Sequence, residues 1–348
     1  MAPALAVAKE LRDRQARVSF VTTPSQRPLL ADAYPAYELA MRGFERRLLA
    51  RQNLRTIGQL AAASPRAWSI LGKVRPAVVL GGGGYVSGPV AGLAALRRIP
   101  TVVLEADSHL GVTNRILAPY VRRLFLSFPI EGLEPPKYVV TGRPLSRQQV
   151  EAQAAEGREA FGLRPDLPTL LVFGGSQGAR TLNQAALGAF AKPDLDIQLV
   201  HVCGSRNHDE VEAALAASGA PQDRYRLLAY TDRLAEAMAA ADLVVGRSGG
   251  SVAEIAALGR PAILVPYPYA SADHQRKNAL WMANGGAAVI VDDAQLTAER
   301  LRGLVDDVLG DEPRRAAMAA ASAALGRPRA TQDVVDEIER MLAQGGRP

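Results

Sequence analysis

Residues 241–278 read ADLVVGRSGGSVAEIAALGRPAILVPYPYASADHQRKN. The run from Asp242 to Val245 is short, apolar and β-branched, which marks a strand buried inside a parallel sheet. Gly246 to Gly250 form a glycine-rich turn. Residues 251–258 follow as a helix stopped by Gly259 and Pro261, and residues 262–265 are a second strand. This order places free backbone N–H groups and the positive end of a helix at the mouth of a parallel sheet. Such a place suits a phosphate or diphosphate, with the dipole contributing roughly 0.3–1 kcal/mol. Glu254 falls in the first helical turn, where a carboxylate repels phosphate unless it points to a neighbouring group such as a pair of ribose hydroxyls. Downstream, Gln275 and Asn278 supply amides that both donate and accept, as a sugar requires. A glycine turn alone is also what an ordinary βαβ unit uses for packing. The turn, Glu254 and the Gln275/Asn278 pair together favour a nucleotide-sugar site.

The rest of the chain sets the frame. Its 348 residues suit two domains of ordinary size, and 48% hydrophobic against 22% charged residues describes a globular protein with material for two cores. Aromatic content of 5% argues against stacking platforms for single-stranded nucleic acid. A formal charge of +6 makes anionic partners plausible, but no helix-turn-helix, RNA-recognition or zinc-finger signature supports a nucleic acid. The single cysteine, Cys203, excludes an internal disulfide and reads as a buried strand residue in a reducing compartment. No apolar run approaches the length that crosses a bilayer, and the N-terminus lacks a secretory pattern, so a cytoplasmic location is expected.

Strand-like runs alternate with helical patterns throughout, at 18–22, 77–80, 101–104 and 138–141, then at 169–173, 197–202, 225–228, 243–245 and 262–265. That alternation is the signature of α/β domains with parallel sheets. The Gly/Pro break at Gly142-Arg-Pro-Leu-Ser-Arg147 separates the two halves. Each half carries its own strand–glycine turn–helix, so two Rossmann-like domains facing a cleft are predicted. The first turn is Gly81-Gly-Gly-Gly-Tyr85, and the second is Gly174-Gly-Ser-Gln-Gly-Ala179. Neither is a P-loop or a dinucleotide fingerprint. The four histidines, His109, His201, His208 and His274, show no metal-ligand spacing, and the lone Asp-x-Asp, Asp194-Leu-Asp196, reads as a surface turn.

Taken in order, GGGGYVSGP, TVVLEADSHLGVTNRILA, VFGGSQGARTLNQ and RSGGSVAEIAALGRPAILVPYP with DHQRKNA resemble the MurG family. These are the bacterial UDP-N-acetylglucosamine:lipid I N-acetylglucosaminyltransferases of glycosyltransferase family 28, with the two-domain GT-B fold. The resemblance runs over nearly the whole chain. It implies an acceptor- and membrane-facing domain at 1–143, a UDP-sugar domain at 144–330, and a C-terminal helix at 331–348 returning to the first domain. It implies that Ser176, Gln177, Gly249, Gly250, Ser251 and Glu254 hold the UDP diphosphate and ribose, Glu254 taking the ribose. The backbone near Thr231 would read the uracil. Gln275 would bind the sugar hydroxyls with Asn278 supporting it, Asp107 would line the donor, and Tyr85 would face the acceptor. The implied reaction is an inverting displacement by a muramoyl hydroxyl, with no metal and no cofactor, on a peripheral enzyme at the cytoplasmic face of the membrane. The implied partners are UDP-N-acetylglucosamine, an undecaprenyl-linked muramyl-pentapeptide and an anionic membrane surface.

The pattern also departs from the family. The chain opens on a helix, residues 1–11 with Pro3 in its first turn, where the family has a strand and a GGTGGH-type loop. The family histidine on that loop, a candidate general base, has no counterpart here, and the first strand of the domain is absent from this chain. A start upstream of Met1 is therefore expected. The family's HEQN segment is Leu104-Glu-Ala-Asp107, so Asp107 is either a base or a capping residue. Tyr85 is a second candidate near the chemistry. The hinge is Gly142-Arg-Pro-Leu-Ser146, which displaces the arginine expected there. Residues 41–55 mix apolar residues at helical spacing with five arginines and read equally as a membrane-surface helix or as one packed on its own sheet. The rivals are a diacylglycerol glycosyltransferase of the same fold, a non-catalytic UDP-sugar-binding protein, and a UDP-sugar epimerase, for which no convincing acid–base pair is visible.

Overall fold

The computed structural model describes residues 1–30, 33–39, 51–175, 179–270 and 273–345, with the backbone alone at 51–62, 84–86 and 345. The chain divides into two compact units, Met1–Ser146 with Arg329–Pro348, and Arg147–Pro328.

Unit 1 runs α1 (Ala2–Asp13), β1 (Phe20–Thr22), β2 (Ala36–Glu38), α2 (Arg51–Val74), β3 (Val79–Gly81), α3 (Gly84–Leu96), β4 (Thr101–Glu105), α4 (Val112–Leu117), β5 (Arg123–Leu126) and β6 (Tyr138–Val140). All its pairings are parallel, yet the strands form two separate sheets, β1-β2 and β3-β4-β5-β6. Val21 of β1 and Val79 of β3 nevertheless pack into one apolar cluster with Ile70 and Leu71 of α2 and Val90 and Ala94 of α3. The two sheets therefore share a covering layer without sharing a ladder. On the opposite face Val7 of α1 packs on Val102, Leu104 and Phe125.

Unit 2 runs α5 (Arg147–Val150), α6 (Ala154–Phe161), β7 (Thr169–Phe173), α7 (Arg180–Phe190), β8 (Gln198–Val202), α8 (His208–Ser218), β9 (Tyr225–Leu228), α9 (Leu234–Ala240), β10 (Leu243–Gly246), α10 (Val252–Ala257), β11 (Ala262–Leu264), α11 (His274–Asn284), β12 (Ala288–Ile290), α12 (Ala298–Leu309) and α13 (Glu312–Leu325). Its six strands make one parallel sheet in the order β12-β11-β10-β7-β8-β9. The predicted strand at 243–245 is β10, between β7 and β11, and its residues are fully buried as a central parallel strand requires. The helix after it ends as predicted, with Gly259 at φ +62° in the left-handed region. The last helix, α14 (Ala330–Gly345), belongs to unit 1 and lays Val334, Val335, Ile338 and Met341 against the cluster that holds Val7. Arg14 of α1 pairs with its Asp336 and Glu339.

Three strands carry no clear signal in the sequence. β2 and β12 have three residues each, and β5 opens on an arginine with five residues between it and α4. Cys203 is buried, but one residue beyond β8, and its N–H donates to the Leu228 carbonyl.

Buried polar groups fix the helices of unit 2 to its sheet. His201 on β8 lies between the Tyr225 hydroxyl at 2.9 Å from Nδ1 and the Asn183 carbonyl oxygen at 3.0 Å from Nε2. An amide oxygen only accepts, so Nε2 carries the ring proton and Nδ1 accepts from Tyr225. Burial pulls the His201 pKa down to about 3 and raises that of Tyr225, which keeps the pair neutral. Where α6 crosses α9, a Cβ at Gly157 would sit 2.1 Å from the Glu236 carbonyl oxygen. Only glycine permits that approach.

Candidate functional site

All strands of unit 2 are parallel, so the loops after β7, β9, β10, β11 and β12 emerge at one edge of the sheet. Ligands of open α/β sheets bind at this carboxyl edge. The predicted donor residues Thr231, Gly249, Gly250, Ser251, Glu254 and Gln275 lie on these loops or on the first turns of the helices that follow them. Ser176 and Gln177 lie outside the described residues. Glu254 is half-buried in the first turn of α10. The Thr231 hydroxyl accepts from the Arg233 N–H at 3.0 Å and so closes the turn into α9.

Gln275, at the start of α11, is held in one orientation. Its Oε1 accepts from the Tyr267 N–H at 2.9 Å, and its main-chain carbonyl accepts from the Ser248 hydroxyl at 2.8 Å. Among the described residues Nε2 has no hydrogen-bond partner, and it lies 3.9 Å from where a Gly249 Cβ would be. The glycine leaves room in front of a fixed donor. Asn278 requires a correction as a ligand-binding residue. It is fully buried, and its Nδ2 donates to the Ser248 carbonyl at 3.2 Å, so it acts by holding Ser248.

Two acids that the sequence reading missed sit on the loop after β12. Asp293 contacts Arg247 Nη1 at 2.5 Å and accepts from the Thr181 hydroxyl at 3.2 Å. Asp292 accepts from Arg276 of α11 at 2.5 Å. Arg276 and Asp292 are about half exposed, at 47% and 48%, so that pair contributes at most about 1 kcal/mol. Arg247 and Asp293 are 11% and 17% exposed, a sheltered pair whose loss would strand a charge. The visible signal was two adjacent acids directly after a β-branched run.

The carboxyl edge of the four-stranded sheet in unit 1 is organised by Glu105, the last residue of β4 and also unremarked in the sequence. This carboxylate is 6% exposed. Its Oε1 accepts from the Asp107 N–H at 3.2 Å, and its Oε2 accepts from the Gly111 N–H at 2.8 Å and from Asn114 Nδ2 at 2.9 Å. The loop 106–111 is thus folded around one buried charge, and its Asp107 side chain is only half-buried. His109 on this loop has its Nδ1 buried with no hydrogen-bond partner among the described residues. Tyr85 starts α3, but its side chain lies outside the described residues, as do residues 41–50 of the arginine-rich segment. Three of the four glycines in the turn there have a structural reason. A Cβ at Gly81 would meet Ser87 and Val103 at 2.9 Å, one at Gly82 would meet Ala4 at 2.8 Å, and Gly83 has φ +87°.

Among the described residues no group of three or more His, Cys, Asp or Glu side chains is placed to hold a metal ion. Asp194 and Asp196 are exposed just ahead of β8, at the opposite edge of the sheet from the glycine loops, and Asp196 pairs with Arg302. The surface-turn reading fits that position.

Two parallel-sheet units, each with a glycine turn at its carboxyl edge, and a fixed amide beside one of them form the frame of a glycosyltransferase in this chain. The chain belongs to glycosyltransferase family 28: the N-terminal domain of that family matches residues 1–126 and its C-terminal domain matches residues 169–334. It is 36% identical to the UDP-N-acetylglucosamine–N-acetylmuramyl-(pentapeptide) pyrophosphoryl-undecaprenol N-acetylglucosamine transferase of Desulforamulus reducens, over 98% of this chain and 95% of that protein. The protein of the same description from Moorella thermoacetica is 37% identical over 99% and 96%. Among solved structures, Acinetobacter baumannii MurG superposes with a TM-score of 0.78 at 29% identity, covering 97% of this chain and 95% of that one.

Proposed function

We propose that this protein transfers N-acetylglucosamine from UDP-N-acetylglucosamine to the lipid-linked muramyl-pentapeptide of peptidoglycan synthesis, forming lipid II. The observation that carries the reading is the 36% identity to the Desulforamulus reducens transferase sustained over 98% of the chain, with the RSGG and DHQRKN segments folded against each other. On this reading Gly249, Gly250 and Ser251 receive the diphosphate, Glu254 takes the ribose hydroxyls and Gln275 Nε2 donates to a sugar oxygen. Ser176 and Gln177 complete the phosphate side, and main chain at Thr231 reads the base. The acceptor hydroxyl attacks the anomeric carbon, the bond to the UDP oxygen breaks with inversion, and UDP leaves with the electron pair. Backbone N–H groups of the glycine turn and the start of α10 stabilise the charge that develops on the leaving diphosphate. No metal enters this scheme. Asp107 is our candidate for the group that takes the hydroxyl proton, with Tyr85 on the acceptor side.

The acceptor is a lipid, and unit 1 carries a surface suited to one. Val112 and Ile116, one turn apart on α4, and Tyr120 just beyond it are 73%, 64% and 70% exposed, with Arg115 and Arg122 beside them. Apolar groups flanked by cations bind anionic membranes peripherally. No helix among the described residues is long and apolar enough to cross a membrane.

UDP release from UDP-N-acetylglucosamine, measured with and without a lipid I analogue, tests the reading. Release that requires the acceptor and persists in EDTA is expected. Release with diacylglycerol alone would transfer the reading to a glycolipid enzyme, and UDP binding without turnover on either acceptor would leave a binding protein.

A further inference from the structure

The contacts around Asp293 form a chain that ends on the sugar-reading amide. Its Oδ1 meets Arg247 Nη1 at 2.5 Å. The same Nη1 donates to the carbonyls of Val265 at 3.2 Å and Pro266 at 3.4 Å, and the guanidinium lies 5.6 Å from the centre of the Tyr267 ring. Arg247 therefore clamps the start of the loop after β11. The next N–H along that loop, from Tyr267, is the one that occupies Gln275 Oε1. The residue after Arg247, Ser248, holds Gln275 from its main-chain side. Through its other oxygen Asp293 accepts from Thr181 in the first turn of α7, directly after the GGSQGA segment. One carboxylate thus ties the loop after β10, the loop after β11 and the start of α7. Both partners are sheltered from water, so the contact is weakly screened.

We infer that Asp293 is a positioning residue for the donor sugar: with Arg247 it locks the Gln275 amide with Nε2 forward, and through Thr181 it sets the phosphate-binding start of α7. It touches no substrate itself. The locked amide offers the sugar a donor and no acceptor. Released, the amide can turn over and present Oε1, which accepts from hydroxyls that a fixed Nε2 cannot serve. Loss of the lock therefore weakens donor binding and relaxes the choice among donor sugars, two effects that loss of stability alone does not produce. This inference rests on the donor-site reading of unit 2.

The test compares wild type, Asp293→Asn, Arg247→Met, the double variant and Thr181→Val. Measured quantities are KM for UDP-N-acetylglucosamine, kcat, the preference over UDP-glucose, the Kd of UDP and Tm. Asp293→Asn, which removes the charge of the sheltered ion pair, should raise KM by about tenfold, with kcat changed less than about twofold. Its preference over UDP-glucose should fall, and the double variant should be scarcely worse than either single one because the two residues act in series. Thr181→Val, a mild change suited to the case where the charge variants fail to fold, should weaken UDP by about threefold with wild-type sugar preference. Asp196→Asn, on the far edge, should change none of these. A lower Tm with KM and sugar preference unchanged in Asp293→Asn overturns the inference, as does unaltered UDP affinity in Thr181→Val. Failure of the wild type itself to bind UDP-N-acetylglucosamine would instead overturn the donor-site reading.

Discussion

Unit 2 has one continuous sheet of six strands and a core cluster that runs from α7 through the sheet to α12 and α13. Unit 1 spreads its strands over sheets of two and four, and its buried apolar residues fall into separate smaller clusters. A continuous parallel ladder distributes a local lesion over many strands, whereas a divided sheet relies on the helices that cover it. Lesions at the donor edge should then alter donor use with little effect on stability, and lesions in unit 1 should alter turnover and stability together.

The largest expected effect tests the first half of that contrast. Glu254→Ala should lower kcat/KM for UDP-N-acetylglucosamine by about 100-fold, roughly 3 kcal/mol for a lost charged contact to the ligand. Its urea midpoint should fall by less than that of Glu105→Ala, because Glu254 is half-buried and also has a contact of its own within the protein. A large stability loss there would make Glu254 part of the frame instead. Glu105→Ala should act on both quantities. It removes the acceptor for two backbone N–H groups and the Asn114 amide, and should cost about 2–3 kcal/mol in denaturant unfolding. UDP affinity should be retained while turnover with the lipid acceptor falls.

Gly157→Ala asks how much lesion the continuous unit absorbs. The new Cβ needs space held by the Glu236 carbonyl, so α6 must shift from α9 at a cost of about 1–3 kcal/mol, read from the urea midpoint. The effect that is smallest at neutral pH comes from His201 and grows only on acidification. Burial holds the pKa of His201 near 3, below the value of about 6.5 it has in an unfolded chain. The unfolded state therefore binds the extra proton between these values. The stability that neutral His201 preserves is fully present above about pH 6.5 and is lost as pH falls toward 3, by up to about 1.4 kcal/mol per pH unit. Thermal unfolding of His201→Gln followed from pH 7 to 4 should show a shallower decline than wild type. An equal slope would place the acid sensitivity elsewhere.

The donor half was legible because its signals are local. A β-branched run, a glycine turn, a helix and a glycine–proline stop occur within 21 residues, from Leu243 to Ile263, and they fold as β10, α10 and β11 in order. Gln275 was legible as an amide after such a unit. Asp293 was not, because its partners Arg247 and Thr181 lie 46 and 112 positions away and ion pairs leave no periodicity. Glu105 was overlooked for a different reason. It closes an apolar strand, and only the burial of its carboxylate shows that it must be surrounded by donors. Asn278 read as a ligand because its chemistry suits a sugar, while its depth comes from the packing of α11.

The manner in which Glu105 grips its loop has a consequence for how such a protein can change over generations. Two of its three partners are peptide N–H groups, at Asp107 and Gly111, which every residue except proline supplies. The path of the loop is thus written in the main chain, and side chains at 106 to 110, the candidate base Asp107 apart, can be exchanged without removing the contacts that hold it. Ala-Asp-Ser-His-Leu is one set of contents in a holder that would accept others, so new acceptor chemistry can be tried here without rebuilding the fold. Proline at 107 is the substitution such drift would have to avoid.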